Sequence, residues 1–289
     1  MDLDYYNKSK RRRTAIEEFD ISLCPEGEDF VISLINDFDF LPFPIEKEVS
    51  KFQRLTINRN LPDNNNTTIN EIKFLKNRLP ESINGYSRAN LKNQSVFYAT
   101  SLLPTALYEN TPEVGDFITI SDWELRERDT CLIVYPIFDY FKSKDFQLLT
   151  SFNKAMENLP KELNTELDKD KIIEDNCLIA SAFSKFVEKG KEINYTLSAH
   201  ISSRIFNEFY NGMVEAIIYP SVKDPIGTSN FAIKPEVVNE KYRLAKVREC
   251  EVISKDQYGI CLQELKRSYK FDEFIYWSKG EFLESRIEF

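Results

Sequence analysis

Two segments that lie far apart in the chain share one pattern, in which a short apolar run ends in a polar side chain. The first segment is residues 85–109 and the second is residues 216–233. An apolar run of this kind packs into a core, and the polar group at its end then faces a cleft. The chain is therefore constrained to a fold that brings the ends of distant strands and helices to a common surface. The polar residues at these ends are Arg88, Tyr98, Glu109, Ser221 and Asn230.

Patterns along the chain predict an α+β fold. Strand-like runs occur at residues 51–57, 95–100, 117–120, 131–135 and 216–219. Residues 140–210 show helical periodicity instead. Because no linker divides the chain, we predict one domain with a mixed β core over residues 51–289, interrupted by a helical insertion around 140–195 and preceded by an N-terminal helical extension over residues 1–50.

The sequence also predicts the bounds of one helix and the length of the strands that follow residue 219. Pro104 predicts the start of a short helix, since its missing N–H costs nothing in the first turn. This helix carries Glu109 and is expected to stop near Pro112. Beyond residue 219 the pattern predicts only short strands, among them residues 258–262 and 274–277.

Composition excludes several classes of function. The formal net charge of −9 argues against broad binding of nucleic acid or of acidic membranes, which needs a positive surface. The basic run at residues 8–13 is expected to be a solvated tail or a helix start that pairs with the acidic body, with nucleic-acid binding as the alternative. No apolar run is long enough to span a membrane. The five cysteines include no CxxC pair and indicate free thiols in a reducing cytoplasm.

Common catalytic and cofactor motifs are missing from the sequence. There is no G-x-G-x-x-G and no P-loop, so any dinucleotide site must be of another type. The one histidine, His200, is expected to lie on a helix face, and a catalytic role for it is the alternative. A single histidine leaves no basis for a hydrolase triad or a structural zinc site, and we expect no metal.

The two segments together resemble a known family. Residues 85–116 read Arg-Ala-Asn, then Phe-Tyr-Ala, then Thr-Ala-x-x-Glu and a proline, and residues 216–233 read Tyr-Pro-Ser and Asn-Phe-Ala-Ile. Residues 52–55, Phe-Gln-Arg-Leu, supply a similar arginine strand. In this order and spacing the segments resemble the RES domain, a family named for its Arg, Glu and Ser. The likeness covers about a third of residues 51–262.

The resemblance implies a fold like that of mono-ADP-ribosyltransferases and an enzyme that consumes NAD as its substrate. RES proteins are mostly bacterial toxins that degrade NAD by hydrolysis or phosphorolysis, and many pair with a helix-turn-helix antitoxin. We therefore expect an NAD glycohydrolase or phosphorylase, acting as a toxin or defence effector and held by such an antitoxin or another neutralising protein. Transfer of ADP-ribose to a protein or nucleotide is one alternative, and a catalytically silent NAD-sensing module is another. Whether the chain forms a homo-oligomer stays open.

The resemblance also implies roles for single residues. Cleavage of the nicotinamide–ribose bond passes through an oxocarbenium-like state, which a carboxylate can stabilise, and Glu109 is the expected carboxylate. Arginine matches phosphate oxygens two at a time, and an aromatic ring can stack on the nicotinamide. Serine and asparagine side chains can hydrogen-bond the ribose or orient the carboxylate. The catalytic residues are expected to be Glu109, Ser221 and Arg88, and the NAD-binding residues Arg54, Arg88, Tyr98, Ser221 and Asn230.

One departure from the family concerns the loop after Arg88. The family usually places a glycine-containing turn there, whereas this chain has Leu91-Lys92-Asn93-Gln94. We expect a reshaped loop beside the arginine.

Overall fold

The computed structural model describes residues 14–288 apart from 15, 17, 19, 22–26, 37, 39, 41–43, 62–65, 141–145, 158–165, 189, 222–228 and 281–283. The described helices are α1 (Glu28–Asn36), α2 (Leu103–Asn110), α3 (Phe146–Glu157), α4 (Glu166–Ser184), α5 (Thr196–Asn207) and α6 (Pro235–Lys241). The described strands are β1 (Ile45–Lys47), β2 (Lys51–Ile57), β3 (Phe97–Thr100), β4 (Phe117–Leu125), β5 (Leu132–Pro136), β6 (Ala216–Pro220), β7 (Ser229–Ile233), β8 (Tyr242–Asp256), β9 (Gly259–Ser268), β10 (Ser278–Lys279) and β11 (Glu284–Glu288).

These elements form two compact units, each assembled from separate stretches of chain. The first unit contains the described residues up to Lys47, together with Pro80–Gln94 and Leu132–Val222. The second unit contains Glu48–Leu79, Ser95–Cys131 and Lys223–Phe289. The predicted α+β class is confirmed, because both units combine strands with helices.

The first unit carries most of the helices. Its strand β5 pairs with β1 antiparallel and with β6 parallel, so the strand pairing is mixed. Helix α1 buries Val31 and Ile35, which lie one turn apart, and packs against α5. Helix α4 packs against α5 and β6, where the ring of Phe183 lies 5.4 Å from that of Tyr219.

The second unit is built on an antiparallel sheet. Its strand order is β7, β3, β2, β4, β8 and β9, and both β10 and β11 pair with β9. Side chains alternate between the two faces of a strand. On one face, α2 packs against an apolar cluster that includes Leu55 and Ile120. On the other face, Phe97 lies 5.5 Å from Phe52 and 5.4 Å from Trp123, measured between ring centroids.

Several elements agree with the sequence patterns. Strand β2 has the predicted bounds, and α2 has its proline in the first turn, as expected for Pro104. Helices α3, α4 and α5 lie within the region predicted to be helical. The basic run at 8–13 lies outside the described residues.

The prediction of only short strands after residue 219 is wrong. Strands β8 and β9 form a hairpin of 15 and 10 residues, and α6 precedes it. The pattern was hidden because one charged side chain of β8, that of Glu249, is buried with partners. Glu249 is 1% exposed, accepts a hydrogen bond from Thr68 and lies 3.3 Å from the Lys266 ammonium. Residues 274–277 form only isolated bridges rather than a strand.

Candidate functional site

Glu109 lies at the end of α2, and the packing of this helix fixes its position. Ala106 and Leu107 are buried in the apolar cluster of the second unit, which anchors the helix on the sheet. Thr111 caps the helix in a left-handed conformation, with φ of 45°, and donates its N–H to the Leu107 carbonyl at 2.9 Å. Glu109 is therefore held in the last turn, half-buried, over this face of the sheet.

Asn230 of β7 contacts Glu109 directly. The Asn230 side-chain amide donates a 2.9 Å hydrogen bond to Oε1 of Glu109, and Asn230 is only 4% exposed. The strand register places Asn230 opposite Thr100, and Tyr98 opposite Ala232. Tyr98 and Asn230 therefore share the face on which α2 packs. The fold thus brings three of the predicted residues, Tyr98, Glu109 and Asn230, to one face of one unit.

Arg54 of β2 contacts the backbone of the neighbouring strand β3. Strands β2 and β3 pair through one residue pair only, Gln53 with Thr100. Beyond that pair, Nη1 of Arg54 donates to the carbonyl of Tyr98 at 3.4 Å, and the guanidinium lies 4.8 Å from the centre of the Phe97 ring. Arg54 therefore holds the backbone of the strand that carries Tyr98. Its side chain lies with Phe52 and Phe97, on the face opposite to Glu109.

The charge of Arg54 is not balanced by any carboxylate among the described residues. Burial and the positive charge of Arg78 lower the pKa of Arg54 to about 10, while Tyr98 acts in the opposite direction. The guanidinium still carries its charge at neutral pH. Its Nε is buried without a hydrogen-bond acceptor in the described part of the chain. Nothing in the local sequence around Arg78 distinguishes it from a surface arginine.

Arg88 belongs to the first unit and is tied to the end of α4. Its Nη1 donates to the main-chain carbonyls of Phe183 and Lys185, the latter at 3.1 Å. Its guanidinium lies 5.1 Å from the centre of the Tyr195 ring. These partners lie about a hundred residues away in sequence, and no local pattern could have indicated them. Arg88 therefore stabilises the helix end in addition to any role with a ligand.

The loop after Arg88 makes its turn without glycine. Asn93 adopts a φ of 58°, in the left-handed region that asparagine tolerates better than most residues. Its N–H donates to the carbonyl of Ile83 at 2.9 Å, and the side chain of Gln94 accepts the N–H of Leu91 at 3.0 Å. The loop after Arg88 therefore contains an asparagine-centred turn, and its difference from the family's loop stays a prediction.

Ser221 follows β6 in the first unit and is half-buried. The turn predicted after it, at residues 225–227, lies outside the described residues. The two groups of predicted residues therefore fall in different units, Arg88 and Ser221 in the first and the remainder in the second. The convergence of Arg88 and Ser221 with Glu109 on one cleft stays a prediction, whereas the side chain of Arg54 lies on the sheet face opposite to Glu109.

His200 lies on α5 in a cluster that the sequence did not reveal. Its Nε2 is 3.7 Å from Oε2 of Glu28, and the hydroxyl of Tyr86 donates to the other oxygen of the same carboxylate. Burial lowers the pKa of His200, while Glu28 acts in the opposite direction. The cluster joins the start of α1 to α5 and to the turn that carries Arg88. His200 lies on a helix face, as the sequence favoured, but its neighbour is the Glu28 carboxylate rather than a backbone group or solvent.

Two classes of site find no support among the described residues. No group of three His, Cys, Asp or Glu side chains is placed to hold a metal ion in that part of the chain. Nor is any helix there both long enough and apolar enough to cross a membrane.

Comparison with models of known protein families and with curated proteins gave no match.

Proposed function

We propose that this protein cleaves NAD at the bond between nicotinamide and ribose, with Glu109 as the key carboxylate. The observation that carries the proposal is the hydrogen bond from the amide of Asn230 to Glu109. It fixes a half-buried carboxylate at a helix end, on the sheet face that also carries Tyr98. A carboxylate held in this way can stabilise positive charge without having to reorganise during the reaction.

Cleavage of the nicotinamide–ribose bond requires few catalytic groups from the protein. Nicotinamide leaves as a neutral group from a cationic pyridinium, so no general acid is needed. As the bond breaks, positive charge develops on the ribose, and Glu109 stabilises that charge or orients the attacking nucleophile. With water as acceptor, the products are nicotinamide, ADP-ribose and a proton. With phosphate as acceptor, the sugar carbon forms a bond to a phosphate oxygen instead.

The other residues are proposed to bind and position the substrate. Tyr98 offers an aromatic face to the nicotinamide ring. Arg54 holds the carbonyl of Tyr98 and so fixes the strand that presents it. Arg88 has the two-pronged geometry that suits a diphosphate, and Ser221 offers a hydroxyl to the ribose.

The resemblance to the RES domain extends the proposal to biology. A bacterial NAD-depleting toxin or defence effector needs a protein that restrains it, and a helix-turn-helix antitoxin is the proposed partner. NAD is abundant in the cytoplasm, where we propose that the protein acts. The cysteines that the structure describes are free thiols, which fits a reducing compartment; they are Cys131, Cys177, Cys250 and Cys261.

The experiment that tests the proposal is incubation of purified protein with NAD, with and without phosphate, followed by mass analysis of small molecules and protein. Release of nicotinamide supports the proposal. ADP-ribose identifies water as the acceptor, and ADP-ribose phosphate identifies phosphorolysis. A gain of one ADP-ribose mass on the protein would favour transferase activity. Intact NAD in all reactions would refute the proposed function.

A further inference from the structure

We infer that Tyr195 and the carboxyl end of α4 position Arg88, leaving one edge of its guanidinium open to a phosphate-bearing ligand. This inference rests on the proposed function and deepens it, because it says how the arginine proposed to bind the diphosphate is held in position. Tyr195 acts through Arg88, so Tyr195 is a positioning residue rather than a catalytic one.

The helix end supplies the first half of the arrangement. Phe183 lies in the last turn of α4, where main-chain carbonyls have no partner within the helix. The carboxyl end of a helix also carries partial negative charge, which attracts a cation. Nη1 of Arg88 satisfies the carbonyls of both Phe183 and Lys185. One nitrogen of the guanidinium is thereby fixed in position.

The ring of Tyr195 supplies the second half. It lies just before α5 in the segment predicted as an insertion, and the guanidinium carbon of Arg88 is 5.1 Å from its centroid. A ring in this position attracts the cation through its π face. Two fixed carbonyls and one ring face together restrict both the position and the plane of the guanidinium.

These contacts leave one edge of the Arg88 guanidinium, formed by Nε and Nη2, available to a ligand. Within the described residues, Nε and Nη2 of Arg88 make no hydrogen bond, and neither is among the buried unpartnered atoms. These two nitrogens present parallel N–H groups, the fork that matches two phosphate oxygens. Because Nη1 is committed to the protein, the open edge is preorganised and loses less freedom when it binds. The chemistry favoured at this edge is a diphosphate.

The test compares Tyr195→Leu with Tyr195→Phe, and Tyr258→Leu serves as a matched control because Tyr258 is an exposed tyrosine in the turn between β8 and β9. We expect Tyr195→Leu to raise the KM for NAD roughly three- to ten-fold with little change in kcat, since the lost cation–π contact acts on binding. The KM for nicotinamide mononucleotide, which has a single phosphate, should rise less. Tyr195→Phe keeps the ring and should restore the KM for NAD, and the control should match wild type.

A purely structural role for Tyr195 would change both substrates equally, and phenylalanine would not restore the difference between them. That result, or a Tyr195→Leu variant with the wild-type KM for NAD, would overturn the inference while leaving the proposed function in place. If the wild-type protein consumes no NAD, the proposed function fails on its own. Calorimetry with ADP-ribose then decides the inference: weaker binding by Tyr195→Leu than by wild type supports it, and equal or absent binding refutes it.

Discussion

The side-chain amide of Asn230 donates a hydrogen bond to Oε1 of Glu109, although 121 positions of sequence separate the two residues. Asn230 is buried on strand β7, and Glu109 lies at the end of a helix packed against the same sheet face. An amide donor holds the carboxylate in place without adding charge. This relationship fixes the position of the Glu109 carboxylate on the sheet face.

Replacing Asn230 by aspartate should shift the pH dependence of NAD consumption. A second carboxylate beside Glu109 disfavours ionisation of the pair, which raises the pKa that governs activity. The acid limb of the pH–rate profile should therefore move to higher pH. Asn239→Asp is the matched control, since Asn239 is exposed on α6. An unchanged acid limb in a folded Asn230→Asp variant would show that Glu109 does not act as a carboxylate.

Replacing Arg88 by lysine should not be a mild change. Lysine keeps the charge but loses the two-pronged geometry and cannot satisfy both carbonyls at the end of α4 while holding a ligand. We expect a rise in KM for NAD of about ten-fold or more, and a much smaller rise for nicotinamide mononucleotide. Thermal unfolding of the variant reports separately on the loss of the helix-end contact. Equal impairment with both substrates would place Arg88 at the ribose or in a structural role, and the Leu91–Gln94 loop would become the first place to look for a phosphate site.

The sequence predicted correctly those elements whose pattern lies in neighbouring residues, and it failed where burial depends on partners far away in the chain. Strand β2 and helix α2 were predictable because alternation and a proline in the first turn are written in neighbouring residues. The long β8–β9 hairpin was not, because Glu249 can be buried only through partners that lie far away in sequence. The same holds for Arg88, whose carbonyl partners at Phe183 and Lys185 no local pattern could show.

The turn at Asn93 makes a prediction about stability. Its φ of 58° strains a β-branched residue, and its side chain is exposed, so substitutions act mainly through the backbone. Asn93→Val should lower the free energy of unfolding by about 1 to 2 kcal/mol, whereas Asn93→Gly should change it by only a few tenths. Urea unfolding of the three proteins measures both differences. Equal stability of the valine and glycine variants would contradict the left-handed turn.

His200 predicts how stability depends on pH. Burial lowers its pKa below the ordinary value of about 6.5, so the folded state binds this proton less readily than the unfolded state. The contribution of neutral His200 is complete above the unfolded pKa and is lost as the pH falls from there through the folded pKa. His200→Gln should therefore reduce the loss of urea stability between about pH 7.5 and pH 5.5. Because the chain has one histidine, a single imidazole NMR signal also reports its pKa directly. A midpoint at or above about 6.5 would contradict the environment described for it.

Loss of NAD with purified wild-type protein and with Glu109→Gln is the measurement that tests the central claim most directly. The amide keeps the shape of the side chain and its contact with Asn230 but removes the charge that stabilises the oxocarbenium-like state. Glu113→Gln is the matched control, because that glutamate is exposed and pairs with Arg59. We predict release of nicotinamide by the wild type and by the control, and a loss of about a hundred-fold or more in Glu109→Gln with an unchanged melting temperature. Nicotinamide release at the wild-type rate by a well-folded Glu109→Gln protein would contradict the account.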